Sequence, residues 1–450
     1  MTSILLIYPF FLPRRDRSVF RFPPLGIGYV ASALKTAGYD VHVLDCTFLK
    51  RKEALTKAMA VKATVTGIYC MASMVENSFW FARYLRGHCG LLIAGGPMPS
   101  CDPDGFLDHF DVVVRGEGEQ TVVELLRAYE EGSDLQNVAG IVFKKKGEAP
   151  AGNGAIYSTA ERPFVENLDR IAFPEREMLP NAQYLRYGKR KYGFSITTVM
   201  STRGCPFHCE FCSNVVFGGS YRERSPGNVV DEIEEALGLG YDRISFADDV
   251  FTMNPRRVLE VCDEIHKRGL RFQWECLGRV DTLDFPLALA MKAAGCMRIY
   301  FGIESGSEAI LKLMHKKITI DMARKAVEAA SRAGLQVGAF FILFYPGDTN
   351  ETVLQTLRFA LSLPVDYLGL TLPFPLPATA LFKRVGYMPE ENRSGISITA
   401  YSRDFSVAKM RFGILKGKLH FALKRKLERF ASPVLRFFER ATDALFMFLK

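Results

Sequence analysis

Apolar positions in the first third of the chain gather into short continuous runs rather than single alternating residues. Ile4–Tyr8, Val41–Leu44, Val65–Tyr69, Leu91–Ala94 and Val112–Val114 read as strands. The stretches Leu25–Ala37, Val75–Arg86 and Gln120–Tyr129 between them carry helical spacing. Val/Ile/Leu runs that alternate with helices belong to parallel sheets covered on both faces.

Five such units over residues 1–145 predict an α/β domain of the doubly wound, flavodoxin-like (Rossmann-like) kind, which binds ligands at the carboxyl ends of its strands. Gly95-Gly96-Pro97 follows the fourth run and Gly116-Glu117-Gly118-Glu119 the fifth. Such glycines permit a tight turn and close approach to a ligand, and serve equally as plain turn residues. Residues 146–190, punctuated by Gly147, Pro150, Gly152, Gly154, Pro163, Pro174 and Pro180, read as an extended linker. A second series follows over 191–395. Ile196–Met200, Ile244–Phe246, Phe272–Glu275, Ile299–Gly302, Gly338–Leu343 and Tyr367–Leu372 read as strands, separated by helices such as Val229–Leu237, Pro255–Arg268 and Met322–Ala333. Six βα units predict a full or partial (β/α)6 barrel with its chemistry at the carboxyl ends of the strands. Residues 396–450 form a separate tail.

Composition changes this picture in two ways. With 48% hydrophobic and 24% charged residues, 450 residues suit more than one globular core, and no uncharged run reaches membrane-spanning length. The amino terminus has neither a basic region nor a small-residue cleavage site and reads as a first strand. The ten cysteines are therefore expected in a reducing compartment, the cytoplasm, as metal ligands, reactive thiols or core filler. The net charge of +9 is concentrated in residues 409–450, which hold eleven basic and three acidic side chains.

The densest chemistry follows the strand ending near Met200. Ser201-Thr-Arg-Gly-Cys205-Pro-Phe-His-Cys209-Glu-Phe-Cys212 places three cysteines four and three apart in a short loop. Thiolates suit iron–sulfur irons, and three protein ligands would leave a position for an exogenous ligand. A structural zinc site would need a fourth ligand, for which His208 has little reach and Cys262 is fifty residues away.

Cys-x3-Cys-x2-Cys after the first strand of a βα barrel, with Phe211 before the last cysteine, resembles the radical S-adenosylmethionine (SAM) superfamily. The resemblance implies a [4Fe–4S] cluster on Cys205, Cys209 and Cys212, with SAM on the fourth iron. SAM would be cleaved reductively to a 5′-deoxyadenosyl radical by an external flavodoxin- or ferredoxin-type reductant. Phe246-Ala-Asp248-Asp249-Val-Phe251-Thr-Met-Asn254 resembles a strand end of the magnesium-protoporphyrin ester cyclase-like group. It implies that Asp248 or Asp249 meets the ammonium of SAM. Arg298-Ile-Tyr-Phe-Gly-Ile-Glu304 similarly places Glu304 at the SAM ribose, and Lys316 matches a cation that faces the SAM carboxylate. Read without the resemblance, the aspartates are helix caps and the lysine a surface ion pair. Where relatives carry G-L-P-G-E-T, this chain has Leu343-Phe-Tyr-Pro-Gly-Asp348-Thr.

Residues 1–145 resemble the cobalamin-binding domain joined to this class, on Pro23-Pro-Leu-Gly26-Ile-Gly-Tyr29, Gly67–Ser73, Gly95-Gly96-Pro97 and Arg115–Glu119. That implies cobalamin beside Gly95 and Gly96. The D-x-H-x-x-G motif is missing, and the nearest string is Asp40-Val-His42. The resemblance leads to an expected cobalamin-dependent enzyme, methylating an unactivated carbon of a lipid-like or secondary-metabolite substrate. The alternative is a radical SAM oxidative cyclase or rearrangement enzyme, with or without cobalamin. A methylthiotransferase is disfavoured because Tyr8-Pro9 stands where that family has a cysteine, and a non-catalytic sensor because the Asp248 and Glu304 pieces are present. No catalytic side chain is assigned.

In the tail, Leu419, Leu423, Leu427, Phe430 and Val434 recur at helical spacing with Lys424, Arg425, Lys426 and Arg429 between them, and Ser432-Pro433 opens a second helix rich in phenylalanine. A basic amphipathic helix suits peripheral attachment to the inner face of an anionic membrane. The other reading is that the stripe packs on the barrel. Nucleic acid is disfavoured as a partner because the phenylalanines offer no stacking platform.

Overall fold

A computed structural model describes residues 2–13, 20–145, 155–385, 404–427 and 432–449. The chain forms two compact units, one built chiefly on Met1–Pro206 and Ser213–Ile244, the other on Phe207–Cys212, Ser245–Asn392 and Ser397–Lys450.

The first unit is organised by a sheet of β1 (Ser3–Tyr8), β2 (Asp40–Asp45), β3 (Val65–Tyr69), β4 (Leu91–Gly95), β5 (Val112–Val114), β6 (Ile141–Lys145) and β7 (Ala155–Ser158). Its order is β2-β1-β3-β4-β5-β6-β7, parallel through β5 and antiparallel beyond. Successive side chains of a strand point to opposite faces. Ile4 and Leu6 therefore pack with Ile27, Leu34, Leu125 and Leu126 of the helices Leu25–Thr36 and Gly118–Glu131. Leu5 and Ile7 pack on the other face with Ala54, Phe81 and Leu85 of Arg51–Val61 and Val75–Leu85. This two-sided burial is the doubly wound architecture that the continuous apolar runs predict.

The segment expected as an extended linker over 146–190 is not uniformly extended. β7 pairs antiparallel with β6, and Tyr157 stacks on Phe143 with ring centroids 5.6 Å apart. Asn181–Tyr192 is a helix closed by Gly193 at φ 82°. Pro163, Pro174 and Pro180 lie between these elements, and residues 146–154, Pro150 among them, fall outside the described residues.

Two further strands of the first unit, β8 (Ile196–Val199) and β9 (Thr202–Arg203), precede the cysteine loop, and β10 (Arg222–Glu223) pairs antiparallel with β9 after it. The second series adds β11 (Arg243–Phe246), β12 (Gln273–Gly278), β13 (Cys296–Glu304), β14 (Gln336–Ile342) and β15 (Tyr367–Thr371), giving a six-stranded sheet of order β15-β14-β13-β12-β11-β8. The registers β12 to β15 are parallel, as an incomplete βα barrel requires. Trp274, Phe246 and Phe251 pack together in the core, with Trp274 Nε1 donating to the Ala294 carbonyl and the Trp274 and Phe246 rings perpendicular at 5.3 Å.

Within the second unit, the helices Val407–Leu427 and Ser432–Phe448 lie on the barrel helix Asn350–Ser362 and β15. The packed face of the first is Met410, Gly413, Lys416, Gly417 and His420. A Cβ on Gly417 would stand 2.4 Å from Leu370, and one on Gly413 2.6 Å from Phe344. Lys424 Nζ donates to the carbonyls of Leu361 and Leu363, and Arg425 to that of Asp366. Leu415 and Leu419 are exposed and Leu423 half-buried, while Arg429 and Phe430 and the side chains of Leu427 and Val434 lie outside the described residues. No helix among the described residues is long and apolar enough to cross a membrane.

Candidate functional site

The residues between the cysteines explain how the loop is shaped. Gly204, at φ +85°, turns the chain where a Cβ would meet the Ser220 carbonyl at 2.2 Å, so only glycine fits. Cys205 then donates its backbone N–H to the Gly218 carbonyl, and Asn214 Nδ2 donates to the Cys205 carbonyl at 3.0 Å.

In the second unit, Phe207 lies under the Arg279 guanidinium, 3.4 Å from the ring centroid, a cation–π contact. Arg279 itself is buried, pairs through two nitrogens with Asp281 and donates to the Lys316 carbonyl. The Glu210 carboxylate accepts from Tyr345 Oη at 2.6 Å and from both Nε and Nη2 of Arg384 at 2.6 and 2.8 Å. Burial alone would push Glu210 up, but the hydrogen bonds from Arg384 and Tyr345 outweigh it and hold the carboxyl below its ordinary value. Its backbone is fixed too, donating to the Met314 carbonyl and accepting from the Leu381 N–H. Phe211 packs on the cluster of Ile310, Met314, Ile342, Tyr345 and Leu381.

Phe207, Glu210 and Phe211 thus each have a docking place in the protein. Cys205 and Cys209 are half-buried, Cys212 is exposed, and all ten cysteines of the chain are thiols. Among the described residues, no three His, Cys, Asp or Glu side chains converge tightly enough to grip one metal ion. A cubane makes a different demand, because each thiolate binds its own iron. The soft donor set, on a loop whose intervening side chains are anchored, fits such a cluster.

The residues expected around SAM fall at strand ends. Asp248, just past β11, is buried, and burial with the neighbouring Asp248 charge raises the Asp249 carboxyl. Glu304 ends β13 at φ +74°, where the register shifts against β14. A non-glycine residue held there costs about 1 kcal/mol or more, a strain seen at functional sites. Lys316 Nζ donates to Glu304 Oε1 at 3.2 Å, so the ribose and carboxylate candidates are brought together as a buried ion pair. Gly302 makes room for it, since a Cβ would meet Glu304 Oε1 at 2.4 Å.

At the carboxyl end of β4, Gly95 faces open space, whereas Gly96 sits at φ +107° with the Cys70 carbonyl 2.9 Å from where its Cβ would be. Gly95 leaves room that fits the approach of a large ring, while Gly96 lets the chain turn tightly against Cys70 and Tyr69. His42 lies within β2, away from the strand's carboxyl end, and pairs with Asp40 at 3.3 Å.

Sequence reasoning missed Arg279, Glu210, Tyr345 and Arg384. Arg279 alone left a signal, as a cation just past a strand end; the Glu210–Arg384 pair spans 174 residues and leaves none.

Comparison with known proteins bears on this geometry directly. The Radical SAM superfamily model matches residues 199–360, and the B12 binding domain model matches residues 15–126. An uncharacterized methyltransferase of Pyrococcus horikoshii is 33% identical over 373 residues, 80% of this chain and 78% of the relative. The chain belongs to the radical SAM superfamily. Its branch carries a B12-binding domain. The anaerobic magnesium-protoporphyrin IX monomethyl ester cyclase of Cereibacter sphaeroides is 29% identical over 398 residues, covering 85% of this radical SAM protein and 62% of the cyclase. Among solved structures, the radical SAM methyltransferase TsrM of Kitasatospora setae, with cobalamin and [4Fe–4S] cluster bound, shares the fold at TM-score 0.71 and 19% identity, over 86% of this chain and 75% of TsrM.

Proposed function

We propose that the chain is a cobalamin-dependent radical SAM methyltransferase acting on an unactivated carbon of a small-molecule substrate. The cysteine loop carries this reading: Cys205, Cys209 and Cys212 stand four and three apart on a loop that Phe207, Glu210 and Phe211 anchor to the protein. Cys205, Cys209 and Cys212 would hold a [4Fe–4S] cluster, and Gly95 and Gly96 would lie against a corrinoid. When bound, these groups and SAM supply one-electron cleavage of SAM and methyl carriage, with the electron drawn from an external reductant.

The protein's own residues bind and orient. Asp248 would accept from the ammonium of SAM, a charge-assisted hydrogen bond. Glu304 and Lys316 would exchange their mutual ion pair for the ribose hydroxyls and the carboxylate of SAM. Arg279, held by Asp281, keeps Phe207 in place and with it the start of the loop.

Anaerobic reconstitution with iron, sulfide and hydroxocobalamin, then desalting and metal analysis, tests the reading. About four irons and one cobalt per chain support it. Iron without cobalt favours the alternative, a cobalamin-free oxidative cyclase or rearrangement enzyme, and absence of both sinks the proposal.

The lipid-like character of the substrate, with attachment to a membrane face, draws on one further observation. Arg411, Leu415, Lys418, Leu419 and Lys426 are exposed along one helix, and Leu445, Met447 and Phe448 on the next. Leucines among cations suit an anionic surface. Flotation with phosphatidylglycerol vesicles should carry the wild-type chain upward and leave Leu415→Ser/Leu419→Ser behind; equal flotation of both would refute attachment through this face.

A further inference from the structure

The Arg115–Glu119 turn, which follows β5 in the first unit, is used differently from a ligand-binding glycine turn. Arg203 Nη1 donates to Glu117 Oε1 at 3.1 Å, and Nη2 to Glu119 Oε1 at 2.6 Å. The same Glu117 oxygen accepts from Arg222 Nη1 at 2.9 Å, and its other oxygen accepts from the Val165 N–H. Arg203 and Arg222 face each other across β9 and β10, the two strands that bracket the cysteine loop. Their four charges cancel, and the side chains are 4–13% exposed, so each carboxylate depends on its arginines rather than on water. The Arg203 guanidinium is further held between the rings of Tyr29 and Phe217, 5.1 Å from each.

Two more contacts tie the same part of the sheet to the loop. Gly116, at φ +67°, donates its N–H to Ser100 Oγ and has the Val216 carbonyl 3.6 Å from its would-be Cβ. Cys101, on the short helix Pro97–Cys101 after Gly96, has its sulfur 3.3 Å from Ser213 Oγ. Ser213 directly follows Cys212, as Arg203 precedes Gly204 and Cys205. Within one unit, the chain entering and leaving the loop is therefore gripped by the turns that follow β4 and β5.

We propose that Glu117 and Glu119 are positioning residues for the cysteine loop: by holding Arg203 and Arg222 they set the strand pair from which Cys205 departs. The RGEGE turn then acts on the cluster side of the molecule through Arg203 and Arg222. The inference rests on the radical SAM reading for its consequence, while the grip itself is measurable without any cofactor.

Hydrogen exchange of the apo protein and iron retention of the reconstituted protein test it together. Glu119→Gln removes one negative charge, leaving a neutral acceptor, at a site 13% exposed and should fold even where Glu117→Gln does not. Loss of a charge-assisted hydrogen bond should speed exchange in residues 204–218 about tenfold. The reconstituted variant should lose iron to a ferrous chelator faster, with a shifted midpoint potential of the cluster. Arg203→Lys, which keeps the charge but loses the fork, should give an intermediate result. Leu126→Ala, in the core of the same unit, calibrates how far general loss of stability alone speeds exchange at 204–218 and should leave the potential unchanged. If Glu119→Gln matches Leu126→Ala in exchange, iron retention and potential, the proposal is overturned. A wild-type chain that takes up no iron would sink the proposed function instead, and exchange alone would then decide whether Glu119 holds the loop.

Discussion

Asp348 occupies the turn after β14 and offers a pH test with a defined sign. Its Oδ2 accepts from the Tyr345 N–H at 2.7 Å and its Oδ1 from Thr352 Oγ1 at 2.6 Å. These bonds favour the ionised form, yet burial dominates and pushes the carboxyl from an ordinary 3.8 up to about 6. The folded chain therefore holds this proton more tightly than the unfolded one. There is no cost below pH 3.8; the cost grows as pH rises and is complete above about pH 6. Two units correspond to about 3 kcal/mol. In Asp348→Asn the amide oxygen can still accept from the Tyr345 N–H, and the amide nitrogen can donate to Thr352 as its hydroxyl turns to the Thr349 carbonyl. Allowing about 1 kcal/mol for imperfect replacement, the variant should be about 2 kcal/mol more stable at pH 7.5, or roughly 5 °C in Tm. The advantage should vanish or reverse by pH 4. Scanning calorimetry of the apo protein at several pH values reads this directly. An Asn variant that is less stable throughout, or a gain that does not depend on pH, would refute the assignment of the cost to ionisation.

Replacing any one of Cys205, Cys209 or Cys212 by Ala should reduce iron from about four per chain to a small fraction after reconstitution, with Tm of the apo protein nearly unchanged. Glu210→Gln should cost about 1–2 kcal/mol, since the Tyr345 bond survives but the charged pair with a half-exposed Arg384 does not; urea titration gives the value, and equal stability would mean the pair is idle. Gly204→Ala combines a positive φ with a 2.2 Å approach to the Ser220 carbonyl and should destabilise by about 3 kcal/mol or more, read in the same titration.

Local pattern made much of this protein legible. The runs at β1, β3, β4 and β5 announce a two-sided parallel sheet, because a strand buried on both faces has no polar positions to alternate with. Cys-x3-Cys-x2-Cys is equally local, and so is Gly96, whose backbone allows only glycine. What escaped was pairing across long separations. Glu117 meets Arg203 86 residues on, and Glu210 meets Arg384 after 174, with no periodicity to mark either end. The helix Asn181–Tyr192 was hidden by the prolines before it. β6 and β7 were missed because residues 146–154 between them, rich in glycine, read as linker.

The tail helices bear on how the chain can be handled. Phe344, Leu357 and Leu370 are covered by Gly413 and Gly417, and Lys424 satisfies carbonyls that end a barrel helix. Cutting the chain before residue 409 would strip apolar surface bare beside β15 and leave those carbonyls unanswered. The shortened protein would sediment as an aggregate, and a fractionation experiment would score it as membrane-bound when it had only lost its lining. Surface attachment in this protein is therefore a question for point changes at Leu415 and Leu419, which face outward and leave the lining intact.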